Sequence, residues 1–257
     1  MEPVQNAGGC IPPGSHDYFP KIRKLCDEFG ILMIMDEVIC GFGRLGELFA
    51  STYYGVEPDL ITTAKGITSS YAPLGAVMAR KSIADTLDDG PGFLHGLTFG
   101  GHPVATAAAN ANLDIMLEED LPGRARETGA YLRAQREARL GGHPNVGDIH
   151  GVGLFLGVEM VADKATKETL PYDADHLVWM TDQIREKGFI MRNDGGGDPT
   201  TQLCPPLVIT RDECDRVCDV LEECFDGLGT IGTLHTTATA TAEHRSIVQD
   251  VPNGTVA

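Results

Sequence analysis

An unbroken apolar run, Ile31-Leu32-Met33-Ile34-Met35, is followed by two acids, Asp36-Glu37, and then by a glycine-rich turn, Gly41-Phe42-Gly43-Arg44-Leu45-Gly46. No other stretch constrains the fold as much. A continuous apolar run of that length, as opposed to an alternating one, suits a strand buried on both faces, the habit of sheets sandwiched between helices. Ahead of it, Tyr18, Phe19, Ile22, Leu25, Cys26 and Phe29 recur at helical spacing, and Gly30 stands where a helix-ending glycine belongs. Beyond it, short strands are predicted over residues 60–63 and 75–79. Helix followed by buried strand, repeated, argues for an α/β sheet that is largely parallel.

The second half changes character. An Ala- and Asn-rich stretch from His102 to Leu117 reads as a tightly packed helix, and another runs from Pro122 to Arg139. After Gly141-Gly142, Val152, Leu154, Leu156 and Val158 alternate as in a strand. Helices over 173–187 and 211–227 bracket strand-like pieces at 189–192 and 202–204, so this half reads as a smaller α+β domain. The resulting division is 1–120, part of a large domain; 121–230, a small domain; and 231–257, a Thr/Ala-rich tail without periodicity, expected to be disordered.

The 20 basic and 37 acidic residues give a net charge of −17, a surface that repels nucleic acid and anionic lipid. No apolar run approaches the roughly 20 residues of a membrane span, and the opening MEPVQNAGGC lacks the basic and apolar regions of a signal peptide. Of seven cysteines, Cys10, Cys26, Cys40 and Cys204 are scattered. Cys214, Cys218 and Cys224 fall in step with Val217, Leu221, Phe225 and Leu228, on the buried stripe of one helix, so no metal site is expected. Reduced thiols suit a cytoplasmic protein.

Two residues carry the chemistry. Lys65 follows a predicted strand and sits among small neighbours, Thr62-Thr63-Ala64-Lys65-Gly66. It reads either as a desolvated amine nucleophile with room for a flat cofactor beside it, or as a lysine that snorkels to solvent. Asp36 ends a strand, at the edge where open α/β sheets bind ligands. It reads either as the partner of a positive ligand atom such as a pyridinium nitrogen, or as a turn or capping residue. Glu37 reads as structural.

The segment Asp36-Glu37-Val38-Ile39-Cys40-Gly41-Phe42-Gly43-Arg44-Leu45-Gly46 resembles the signature of class III pyridoxal-phosphate (PLP) aminotransferases, and more narrowly the omega-amino-acid:pyruvate type. Asp59-Leu60-Ile61-Thr62-Thr63-Ala64-Lys65-Gly66 is similar to the family's cofactor-lysine motif. Glu2 to Gly9 resembles its EPVQGxGG stretch, with Asn6 in place of a glycine. His95 to Pro103 and Leu203 to Thr210 resemble two later blocks. Five blocks in order across residues 1 to 230 make the resemblance specific.

The resemblance implies an α/β, aspartate aminotransferase-like PLP-dependent transferase fold, its large domain partial here, plus the small α+β domain. It implies Lys65 as the Schiff-base lysine and proton carrier, Asp36 on the pyridine nitrogen, Val38 on one ring face, and Thr98 reaching the phosphate of a neighbouring subunit's cofactor in a homodimer. Arg192 would take the substrate carboxylate, its alternative being a surface arginine. Glu2 and Gln5 are expected to support the site, and His102 to cap the helix it precedes. The implied activity is amino-group transfer from an amine or omega-amino acid to pyruvate or a similar keto acid. An aminomutase or decarboxylase on the same scaffold is the alternative, or an inactive fragment that pairs with a full-length relative. The family's N-terminal part, with its phosphate-binding turn, does not appear in this sequence, and we expect this polypeptide alone to fold poorly.

Overall fold

The computed structural model describes residues 1–6, 9–170, 175–193 and 199–228. Helix α1 (Tyr18–Phe29) ends at Gly30, which takes a left-handed φ of 65° and donates its N–H to Cys26. The chain then enters β1 (Ile34–Asp36), makes the glycine-rich turn and the short helix α2 (Ala50–Tyr53), and returns as β2 (Leu60–Thr63). A single 3₁₀ turn (Lys65–Ile67) leads to β3 (Ala76–Ala79). Strands β1 and β2 are parallel, with Asp36 opposite Thr62, whereas β2 and β3 are antiparallel. The expectation of a largely parallel sheet therefore holds for one pair only. The link from β2 to β3 holds no crossover helix, and without one a strand returns in the opposite direction.

The apolar run is not buried on both faces. Met33 and Met35 are buried, but Ile31, Leu32 and Ile34 are 56%, 57% and 45% exposed. Besides β2, residue 1 bonds to the β1 backbone: the Met1 amine donates to Ile34, and Asp36 N–H donates to the Met1 carbonyl. Among the described residues nothing covers the outer face. Likewise, Phe19 and Cys26 of α1 are buried while Tyr18, Leu25 and Phe29 stay exposed.

One buried carboxylate ties this region together. Asp59 Oδ2 accepts from Met33 N–H at 2.7 Å and pairs with Arg23 of α1 at 2.6 Å, and its Oδ1 lies 3.4 Å from Arg80 at the end of β3. The Asp59 N–H donates in turn to the Met33 carbonyl. The entry to β1, the start of β2, the exit of β3 and α1 thus share one charged centre.

Helix α3 (Lys81–Asp88) follows, then α4 (Pro103–Glu118) and α5 (Leu121–Leu140). The alternating stretch expected as one strand is a hairpin, β4 (Val146–Val152) and β5 (Phe155–Asp163). Apolar alternation continues across the reversal, so the pattern hides it. The chain turns at Gly151 (φ 111°) and Gly153 (φ 58°), conformations that a β-branched residue avoids. A Cβ on Gly153 would stand 2.6 Å from the Arg44 carbonyl oxygen, and one on Gly129 of α5 would stand 2.2 Å from the Gly153 carbonyl oxygen.

After β6 (Glu168–Thr169) and α6 (Asp175–Glu186) come β7 (Arg192–Asn193), β8 (Thr200–Leu203) and α7 (Arg211–Leu228). The second sheet runs β4-β5-β8-β7 and is antiparallel throughout. Both β7 and β8 are displaced from the expected 189–192 and 202–204. Strand β8 starts earlier because Thr200, Thr201 and Gln202 are buried polar residues that an apolar pattern overlooks. Thr201 Oγ1 donates to Asn193 Oδ1 at 2.6 Å, and Asn193 Nδ2 donates to Thr181 Oγ1 at 3.0 Å. Cys214, Cys218 and Cys224 are buried on α7 with Val217, Leu221, Phe225 and Leu228, as their spacing predicts. Residues 231–257, read as a tail, lie outside the described residues.

Two buried charges generate predictions. Arg136 of α5 is fully buried between Leu132 and Leu140, facing Cys218, and among the described residues none of its three side-chain nitrogens has a hydrogen-bond partner. Burial pulls its guanidinium down to about 10. An unpaired charge in an apolar core is destabilising, and replacing it by an apolar chain of similar length commonly gains about 1–4 kcal/mol. Arg136→Met should therefore raise the urea midpoint of the chain; a lower midpoint would mean that the guanidinium has a favourable partner in solution.

Glu37, fully buried, accepts from the N–H groups of Ala50 (2.6 Å) and Ser51 (2.8 Å) and so caps α2 from outside the helix. Burial raises its carboxyl above the ordinary 4.5, against those hydrogen bonds. Just above pH 4.5 the folded chain therefore holds more proton than the unfolded one. The contribution of Glu37 is full below that pH and declines as pH rises through the raised value. Glu37→Gln removes this term and leaves one N–H without its acceptor, a loss of about 1–3 kcal/mol. In denaturation series from pH 4 to 7, the deficit of the variant should shrink as pH rises; a flat deficit would refute the shifted titration.

Candidate functional site

The pairing of β1 with β2 decides what meets at the sheet edge. Asp36 lies opposite Thr62, and Lys65 follows three residues after Thr62, so carboxylate and ammonium stand at the carboxyl ends of neighbouring parallel strands. Asp36 is half-buried, and its Oδ1 accepts from Val38 N–H at 3.1 Å. This is the turn geometry the sequence allowed as an alternative, and it leaves Oδ2 without a partner among the described residues. Val38 is half-buried beside it.

Lys65 is exposed, where one reading of the sequence had it desolvated. It lines an open hollow of about 320 Å³ with Thr68, Ser70, Ala72, Pro73 and Leu74. Asp36 does not line that hollow. Among the described residues no hydrogen bond or ion pair holds the Lys65 ammonium. Its backbone is left-handed, φ 46°, as are Ser69 (48°) and Ser70 (65°). Such conformations cost on the order of 1–3 kcal/mol each and gather at functional sites. The turn is held from behind by Asn112 of α4, which donates to the carbonyls of Gly66 (2.9 Å) and Ile67 (3.2 Å) and accepts from Ser69 Oγ (2.7 Å). The sequence signal for Asn112 was an amide inside an alanine-rich helix, to which no role had been given.

Arg44, in the glycine-rich turn, was also passed over. Its guanidinium donates to the carbonyls of Leu154 (3.2 Å) and Pro205, and Leu154 N–H donates back to the Arg44 carbonyl at 3.0 Å. The turn after Asp36 is thereby fixed to the β4–β5 hairpin and to the Pro205-Pro206 segment. Burial pulls the Arg44 guanidinium below its ordinary value.

The other expected site residues lie on other elements. Thr98 is exposed, on a segment where Phe93, Leu94, Leu97 and Phe99 are exposed as well. Arg192 is exposed on β7 of the second sheet, opposite Gln202. Glu2 Oε2 accepts from Asn6 N–H at 3.1 Å, and Gln5 bridges to Ile11, supports for the first loop. His102 caps α4, its Nδ1 accepting from Val104 N–H at 3.3 Å. Among the described residues no cluster of three or more His, Cys, Asp or Glu side chains suits a metal ion, and no helix is long and apolar enough to cross a membrane.

Residues 1–225 match the family model of class-III aminotransferases. A probable aminotransferase of Mycobacterium tuberculosis is 45% identical over 89% of this chain and 49% of its own length. The putrescine–pyruvate aminotransferase of Pseudomonas aeruginosa is 42% identical over 88% of this chain and 48% of its own. In three dimensions, the (S)-enantioselective omega-transaminase of Thermomicrobium roseum superposes with a TM-score of 0.82 at 44% identity, covering 88% of this chain and 50% of that one. An amine transaminase from an uncultivated Pseudomonas species, in its PLP-bound form, gives 0.83 at 43% identity, with 89% and 51% covered. The chain spans about half the length of the relatives it matches. The motifs, the sheet edge they build and these likenesses agree: the chain belongs to the class-III aminotransferase family, with the mixed α/β fold of the PLP-dependent transaminases.

Proposed function

We propose that this chain carries the cofactor-lysine half of a PLP-dependent transaminase that moves an amino group from an amine or omega-amino acid to pyruvate or a similar keto acid. The observation that carries the reading is the placement of Asp36 and Lys65 at the ends of paired parallel strands, the lysine on a strained turn with its ammonium unengaged among the described residues. The donor set fits PLP: a free primary amine suits its aldehyde, and a half-buried carboxylate with one open oxygen suits its ring nitrogen. When bound, PLP supplies an aldehyde carbon for condensation and an electron-withdrawing ring. Asp36 would hold a proton on the ring nitrogen. Lys65 Nζ would take up and return the proton at the substrate carbon that bears the amine. Val38 is assigned to one face of the ring.

Arg192 is assigned the substrate carboxylate, for which a planar guanidinium suits two-point binding. Thr98 is assigned the cofactor phosphate of a second copy in a homodimer, and the exposed apolar residues around it support that assignment. The organisation proposed is a partial large domain over 1–120, a small domain over 121–230 and a tail over 231–257, in a cytoplasmic protein.

Borohydride reduction with PLP tests the central assignment. The expected label lies on the tryptic peptide Leu45–Arg80, at Lys65, and disappears in Lys65→Ala. Asp36→Asn should keep the label site but weaken PLP retention about 10- to 100-fold, the equivalent of one charge-assisted hydrogen bond of about 1.5–3 kcal/mol. Label spread evenly over the lysines would overturn the reading. A turnover assay on the whole enzyme separates transamination, which consumes a keto acid, from an aminomutase or decarboxylase, which does not.

A further inference from the structure

The strained turn at Lys65 is not held by its own main chain. The N–H groups of Thr68 and Ser70 both donate to the Lys65 carbonyl at 3.3 Å, and Ser69 N–H donates to the Gly66 carbonyl at 3.3 Å. All three lie beyond the usual range of about 2.7–3.2 Å for such bonds. The bonds that reach the turn from Asn112 are shorter: 2.9 Å to the Gly66 carbonyl, 3.2 Å to the Ile67 carbonyl and 2.7 Å from Ser69 Oγ. Both ends of the amide are used. Its nitrogen serves the two carbonyls that follow Lys65, and its oxygen serves the hydroxyl of Ser69, itself left-handed. An amide offers donors and an acceptor together, which neither a carboxylate nor an aliphatic side chain of that size can do.

Asn112 stands on a firm base. Ala105, Ala109 and Met116 are buried on α4, and Asn112 falls in step with them on the same side of the helix. Ala109 and Met116 share an apolar cluster with Ile67 of the Lys65 turn and Phe42 of the glycine-rich turn. From the other side, a Cβ on Gly66 would stand 2.9 Å from the Phe42 Cβ. The Lys65 turn is thus gripped between α4 and Phe42.

What the grip fixes is the aim of Lys65. Among the described residues no hydrogen bond or ion pair holds the far end of its side chain. The fold therefore sets the position of the amine through the direction of the Cα–Cβ bond, and the backbone sets that direction. A change of φ from 46° to a right-handed value would re-aim the side chain relative to the hollow it lines with Thr68, Ser70 and Leu74.

We propose that Asn112, with Ser69, is a positioning residue for the Lys65 amine: the amide keeps the turn left-handed and so holds the amine where a cofactor aldehyde can meet it. This rests on the reading of Lys65 as the cofactor lysine. Asn112 itself makes and breaks no covalent bond and touches no reacting atom.

The test uses the whole 257-residue chain with PLP and borohydride. The quantity read is the label on Lys65 relative to that on Lys81, whose side chain is 85% exposed on α3. In Asn112→Ala the ratio should fall about 10- to 100-fold, the cost of displacing a reacting group by roughly 1 Å. The visible circular dichroism of bound PLP, which reports a fixed orientation of the ring, should weaken with it. Asn112→Asp keeps the acceptor for Ser69 but sets a carboxylate against two carbonyl oxygens, and the ratio should fall as far. Ser69→Ala, a change at an exposed position, should give a smaller fall, and none further in an Asn112→Ala background, because the two residues share one bond. Ile184→Val, in the core of the second sheet, should lower the urea midpoint and leave the ratio where it was. An unmoved ratio in Asn112→Ala, an equal fall in Ile184→Val, or additive losses from Ser69→Ala and Asn112→Ala would each overturn the positioning role alone. Absence of label from Lys65 in the unaltered chain would overturn the reading of the cofactor lysine, and the positioning role with it.

Discussion

The sheet edge depends on Asp59. A carboxylate this buried is tolerated only because several donors converge on it: the Met33 amide and two guanidinium groups, from Arg23 and Arg80. Together those contacts set where β1 begins relative to β2. A slip of one residue in that pairing would send alternate side chains to the opposite face. Asp36 would no longer lie opposite Thr62, and the carboxylate and Lys65 would leave the edge they share. The chemistry proposed at one end of these strands is thus fixed by a charge cluster at the other.

A second layer of control comes from side chains that touch no reacting atom. Asn112 grips the carbonyls behind Lys65, and Arg44 grips the hairpin and the Pro205-Pro206 segment. Each satisfies backbone oxygens that a loop would otherwise leave to water. A lysine on a strained turn stays where it is put only if the turn is braced, and a carboxylate at a strand end keeps its bearing only if the next turn is fixed.

Much of this was legible in the residues. The order of apolar run, acids and glycine-rich turn located β1, Asp36 and the turn, and a lysine among small residues marked the end of β2. The ranges read for α1, α4, α5, α6 and α7 lie close to their observed bounds, and helical spacing placed the three α7 cysteines in the core. What escaped was whatever depends on a neighbour distant in sequence. Ile31, Leu32 and Ile34 read as buried because their composition says so, but burial needs a covering layer, and composition does not report one. The β4–β5 reversal was hidden since apolar alternation ran through it. Thr200 to Gln202 were missed because polar residues can fill an interior strand when their hydrogen bonds are met. Arg136 stands at a helical step between leucines, and its charge gave no sign that it faces inward.

The approach of Gly129, Gly153 and the Arg44-Leu45 backbone has a mechanical consequence. Three stretches of main chain, from α5, the hairpin tip and the glycine-rich turn, meet with no side chain between them. Packed side chains absorb small displacements by changing rotamer, whereas bare backbone has no such slack. A shift of the hairpin tip is therefore handed undiminished to the long helix on one side and to the Asp36 turn on the other. The second sheet is geared to the candidate site through a joint without play.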